Sequence, residues 1–258
     1  MSFVFNELVY RPLYNLLIFV YNVFPLADFG IAIIIVTIII KIILIPLSRK
    51  QIESQKKMQE LQPRIKEIQE KHKNDKEKQS RAMLELYKEK KTNPLSGCLP
   101  MIVQLIFLIA IYRILFNISQ SGLIVEANNL YSFISNPGQI NHSFLGIIDL
   151  SATLSLSHLT IGNIPHLILI LLAAGSQYFQ TKMLMAKQPK AQKNAKGGDF
   201  SQMMTQQMLY LGPLLTLFIG FKFPAGLSLY WLVSTGFMIV QQYQLEKKEK
   251  KLAKKDNY

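Results

Sequence analysis

Five apolar blocks separated by charged stretches set the limits on what this chain can fold into. Residues 29–48, 98–116, 165–183, 206–221 and 224–242 carry few charges. With their flanks, each approaches the roughly 20 residues that a helix rising 1.5 Å per residue needs to cross about 30 Å of hydrocarbon. We read them as five membrane helices. Buried helices of a large soluble protein are the alternative, but too little amphipathic sequence remains to cover them.

Charge distribution orients the spans. The net charge of +13 is concentrated in residues 48–93, 182–196 and 247–255, whereas 117–163 contains no Lys or Arg. Basic segments remain in the cytoplasm, so the N-terminus is expected outside and the C-terminus inside. The single cysteine, Cys98, offers no disulfide framework. The opening "MSFVFNELVY" lacks the basic n-region and cleavage site of a signal peptide. A bacterial plasma membrane is the expected location.

The segments between blocks have their own patterns. In residues 1–28, Asn6, Arg11, Asn15 and Asn22 recur at helical spacing among aromatic and aliphatic residues. This predicts an amphipathic helix lying in the outer headgroup layer, with a sixth span as the alternative. Residues 49–93 place Met58, Leu61, Ile65 and Ile68 on one helical seam, then Met83, Leu84 and Tyr87 on another, ending at Asn93-Pro94. A cytoplasmic helical hairpin is expected, its first arm kinked at Pro63. Residues 117–164 form an external loop, 184–205 a flexible cytoplasmic loop, and 243–258 a solvated basic tail. That tail has a topological or lipid-attracting role, or a sharper one in ribosome binding.

Polar residues inside the blocks lie on one side of the membrane. Lys41 sits about 10 Å below the cytoplasmic edge at Ser48, with Thr37 one turn deeper on the same face. Gln104 falls at a similar depth in the second block, and Ser176, Gln177 and Gln180 do so in the third. Ser234 and Thr235 join them from the fifth, with Tyr230 and Trp231 nearer the midplane. The outer halves are almost bare of polarity. Polar groups facing lipid would be left unsatisfied in hydrocarbon, so the pattern predicts a hydrophilic groove open to the cytoplasm and closed to the outside.

Bland readings stand beside this one. Lys41 can snorkel towards the inner headgroups, and Gln104 and Gln177 can be interhelical glue. A lysine near the membrane centre costs about 2.5 to 3.5 kcal/mol on insertion scales, which favours some use for it. A small-solute transporter or channel with Lys41 as counter-ion is the rival class. It predicts polarity in both membrane halves and repeated halves, and neither is seen. A passive scaffold is a third. Enzymatic chemistry has no support: His142 and His158 lack a matching cluster of carboxylates or cysteines, and His72 falls on the hairpin. No metal or other cofactor is expected.

The segments "GIAIIIVTIIIKIILIPLSRKQ", "NPLSGCLPMIVQ", "FLGIIDLS" and "FPAGLSLYWLVSTGFMIVQQYQL" resemble, in that order, segments of the YidC family of membrane protein insertases. The likeness runs from about Phe29 to Leu245. It implies a five-helix core around a hydrophilic groove, a cytoplasmic hairpin, and insertion and folding of membrane proteins without nucleotide hydrolysis. The implied partners are nascent membrane protein clients, the lipid bilayer, the Sec translocon, and the ribosome through hairpin and tail. The implied client contacts are Lys41, Thr37, Gln104, Ser176, Gln177, Gln180, Tyr230, Trp231 and Ser234. The family usually has Arg where this chain has Lys41, and Lys is a point charge without Arg's two-pronged grip on a carboxylate.

Overall fold

Pro46 determines where the first apolar block breaks. It has no N–H to offer the carbonyl of Ile42, and its ring crowds that turn. Helix α3 (Phe29–Ile43) accordingly stops at Leu44, and α4 (Ile45–Lys71) departs at 64°. The computed structural model describes residues 3–24, 28–92, 99–155, 160–185 and 200–255. "NPLSGC", the Asn93-Pro94 stop, Cys98 and His158 lie outside them.

The chain opens with α1 (Phe3–Phe5), a π-helical stretch at Asn6–Tyr10, and α2 (Arg11–Val23). Asp28 caps α3 by accepting from the backbone N–H of Ile31 at 3.0 Å, one of the orphan donors of a helix start. After α4, residues 72–75 turn the chain into α5 (Lys76–Glu89), capped by Asp75. Then follow α6 (Leu99–Gln120), α7 (Ile164–Met185), α8 (Phe200–Lys222) and α9 (Ala225–Lys255).

Among the described residues, two helices are long and apolar enough to cross a bilayer, Ile102–Gln120 and Ile161–Met183. The bent pair Phe29–Ile43 with Ile45–Met58 makes a third, and Leu209–Lys222 is a shorter apolar stretch. α9 continues through Lys255, so most of the expected solvated tail is helical. Glu246 and Glu249 among the lysines give it opposite charges at helical spacing. Helix also enters the expected loop 184–205 from both ends.

One hydrophobic core unites α2, α3, α6, residues from the connection between α6 and α7, α7 and α9 around Tyr14, Ile18, Phe29, Ile33, Ile111, Ile114 and Leu150. A separate small cluster of Leu61, Ile65 and Leu86 joins α4 to α5. Leu84, expected in that seam, is 57% exposed. Leu86 replaces it, packed with Met83 and Tyr87 nearby. Pro63 lies within α4, which runs on past it; the large bend of this region is at Leu44.

Asn15 and Asn22 of the polar stripe of α2 bond to the segment 129–135. Asn15 is 1% exposed. Its amide donates to Asn129 O at 2.8 Å and accepts from Tyr131 N at 2.6 Å. Asn22 donates to Ser135 O, while the Tyr14 and Tyr21 hydroxyls accept from the N–H groups of Glu126 and Asn141. A loop that carries many backbone polar groups is thereby tied down by side chains of one helix.

The loop also contains a short hairpin, β1 (Ser143–Phe144) antiparallel to β2 (Ile148–Asp149). Leu145 and Gly146 have φ of 54° and 69°, the left-handed pair of a tight turn. The start of α9 docks on the segment that follows. The N–H groups of Ala225 and Gly226 donate to Ala152 O and Leu150 O, both at 3.0 Å.

Candidate functional site

A recess opens between α3, the first turns of α4, α6 and α9. It is lined by Thr37, Ile40, Lys41, Leu44 and Leu47 on one side and by Val103, Gln104, Phe107, Tyr230 and Met238 opposite. Ser48, Gln51 and Gln241 complete it, and its empty volume is about 540 Å³ including its open mouth. Lys41 is the one charged side chain among these lining residues.

Polar contacts inside the recess converge on Gln104. Its Oε1 accepts from Lys41 Nζ at 3.1 Å and from Ser234 Oγ at 3.0 Å. Tyr230 lines the same recess beside this network. Lys41 therefore spends its charge on a neutral acceptor, with other donor directions free to face the recess. Thr37, 1% exposed, donates its hydroxyl to Ile33 O at 2.6 Å. That bond keeps the side chain in the wall and consumes its only proton.

The third block forms a second centre. Gln177 Oε1 accepts from Trp231 Nε1 at 3.1 Å and from Thr235 Oγ1 at 3.3 Å, joining α7 to α9. Trp231 and Gln177 are thus glue between helices and do not line the recess. Ser176 donates back to Ala173 O within α7, and Gln180 is buried away from the recess lining. So Lys41, Thr37, Gln104 and Tyr230 line one cavity, with Ser234 bonded into it. Ser176, Gln177, Gln180 and Trp231 do not contribute to it.

Three lining residues were missed. Gln51 follows the expected edge of the first span, and Ser48 and Gln241 sit at the edges of theirs, where polarity is unremarkable. The bend at Leu44 swings the start of α4 beneath α9 and brings them together. Gln241 Nε2 donates to Ser48 Oγ at 2.6 Å, and the hydroxyl proton is shared between Gln241 Oε1 and Ile45 O, each at 3.0 Å.

Away from the recess, His142 Nε2 lies 3.3 Å from Asp149 Oδ1. Burial pushes the Asp149 carboxyl up, but hydrogen bonds from Ser151 and Ala152 and the nearby His142 bring it below the usual range. Among the described residues no cluster of three His, Cys, Asp or Glu side chains could hold a metal ion.

The family model described as 60Kd inner membrane protein matches residues 19–253, from α2 almost to the end of α9. The chain belongs to that family. A relative called membrane protein insertase YidC, from Fusobacterium nucleatum, is 34% identical over 243 residues, 93% of this chain and 98% of its own length. One called membrane protein insertase YidC 2, from Bacillus anthracis, is 32% identical over 255 residues, covering 97% and 84%. The relative from Citrifermentans bemidjiense is 33% identical, but the chain spans only 36% of its length. The molecule is therefore a helical membrane protein of the 60Kd inner membrane protein family. The matched range takes in both the recess and the hairpin.

Proposed function

We propose that this chain is a membrane protein insertase with five spans, formed by α3 with the start of α4, α6, α7, α8 and the apolar part of α9. The N-terminus lies outside and the basic C-terminus in the cytoplasm, a reading supported by the distribution of Lys and Arg. The observation that carries the reading is Lys41, held in a recess by the neutral Gln104 with no carboxylate among the lining residues.

A client's polar tail must cross about 30 Å of hydrocarbon, where each unpaired backbone group costs several kcal/mol. A recess reaching in from the cytoplasm shortens the dry path. Lys41 attracts acidic groups, while Gln104, Ser234 and Tyr230 offer hydrogen bonds. The client's apolar segment leaves for lipid, which solvates it better than a polar cavity does. The membrane potential adds about 2.3 kcal/mol per 100 mV for each acidic charge moved outward. No bond is made or broken and no nucleotide is consumed. The hairpin α4–α5 and the basic end of α9 are the surfaces offered to the ribosome, and the Sec translocon can act alongside.

The test is the purified chain alone in liposomes with a short single-span client bearing an acidic tail. Protease-protected insertion above that of empty liposomes is expected. Equal insertion with and without the protein ends the proposal.

A further inference from the structure

The end of the recess nearest the hairpin differs chemically from its interior. Its polar groups are Ser48, Gln51 and Gln241, two primary amides and a hydroxyl, none charged. Ser48 and Gln51 stand one helical turn apart on the same face of α4. Gln241 clasps Ser48 through the two bonds described above. Gln51 is 8% exposed, and its Nε2 is buried with no acceptor among the described residues. Buried donors are almost always paired, so an orphan donor on a residue that lines a recess marks a place where an acceptor can be supplied once the recess is filled.

A glutamine amide carries the same donor and acceptor pair as a peptide group. Uncharged amides read a main chain without regard to its side chains. Lys41, further in, reads charge. We infer that Ser48, Gln51 and Gln241 form a main-chain-reading rim, in which Gln51 Nε2 donates to a backbone carbonyl of the client's hydrophilic segment. This rests on the insertase reading and names the ligand chemistry of its entrance: an extended peptide backbone of any sequence. The Ser48–Gln241 clasp is exchanged for bonds to that backbone as it enters. The rim supplies part of the pairing that the entering segment loses when it leaves water.

The experiment uses the full chain in liposomes with two single-span clients, one with an acidic tail and one with an uncharged tail. Gln51→Met removes the donor at nearly constant length. It is expected to slow insertion of both clients alike, by about threefold to tenfold, the loss of one hydrogen bond. Lys41→Ala is expected to slow chiefly the acidic one. In a Cys98→Ser background, Gln51→Cys is expected to form disulfides with single cysteines placed at successive positions along either tail, a result that a purely structural role for Gln51 does not produce.

Gln51→Met inserting both clients at the parent rate overturns the rim. So does a Gln51→Cys that forms no client disulfide while Lys41→Cys does. A parent no better than empty liposomes overturns the insertase reading itself, which separates the two failures.

Discussion

Lys41 Nζ and Gln104 Oε1 are 3.1 Å apart, joining α3 to α6 inside a recess whose other lining residues are uncharged. A carboxylate in place of Gln104 would have neutralised the lysine and made the pair a structural tie. A neutral amide orients the ammonium while leaving its charge for whatever enters. Removing a charge-assisted hydrogen bond costs about 1.5 to 3 kcal/mol, a factor of roughly 10 to 100.

Lys41→Ala should therefore slow insertion of an acidic-tail client at least about tenfold, and Lys41→Arg should stay within about threefold, because both cations donate to Gln104. Initial rates of protease protection in liposomes measure both. Equal rates for all three proteins would sink the role assigned to the lysine.

Gln177→Leu should weaken the α7–α9 contact without touching the recess. It leaves Trp231 Nε1 and Thr235 Oγ1 without their acceptor, and a stranded buried donor costs about 1 to 3 kcal/mol. Trp231 is the only tryptophan, so its emission reports the change directly. A blue-shifted maximum and a lowered unfolding midpoint in detergent are expected, with client selectivity by tail charge kept. Loss of that selectivity would return Gln177 to the client path.

The Lys41 and Gln177 centres show what could be read from the chain and what could not. Lys41, Gln104 and Ser234 were legible because each is a polar interruption in an apolar block, and depth counted along straight helices puts them level. Depth does not give azimuth. Gln177 and Trp231 lie at suitable depths but face each other. Ser48, Gln51 and Gln241 were illegible for the opposite reason, since polar residues near a span end carry no signal until the chain bends at Leu44 and stacks them. Pro46 was the available clue. The stripe of α2 was legible as amphipathic, but the pattern alone could not say that its polar side covers a loop, because peptide groups and headgroups satisfy an asparagine equally well.

Asn15→Leu should loosen that loop. The substitution strands Asn129 O and Tyr131 N in a part-buried position. At about 1 to 3 kcal/mol for each fully buried group, two part-buried ones cost about 2 kcal/mol or more together. Trypsin cannot report the change, because 117–163 holds no Lys or Arg. Chymotrypsin can, at Tyr131 and Phe133. Faster cleavage there is expected, with a lower unfolding midpoint. Cleavage at the parent rate would mean that the Tyr14 and Tyr21 bonds suffice.

Gly30→Ala should be more disruptive than its size suggests. A Cβ at Gly30 would collide with Phe144 Cδ2 and lie 2.7 Å from its Cγ and 2.8 Å from its Cβ. The ring cannot simply turn aside, since the clash reaches its attachment point. Nor can β1 retreat freely: Leu145 N donates to Asp28 Oδ2 at 2.6 Å, and the other oxygen of that carboxylate caps α3. Relieving the methyl group means giving up the hairpin's latch or the helix cap. A cost of about 1 to 3 kcal/mol is expected, as for overpacking in a tight core. A double-mutant cycle with Phe144→Ala isolates the cause. Phe144→Ala destabilises by itself through lost packing, but adding Gly30→Ala to it should then cost almost nothing. If Gly30→Ala costs the same in both backgrounds, the close approach of α3 to β1 is not what requires the glycine.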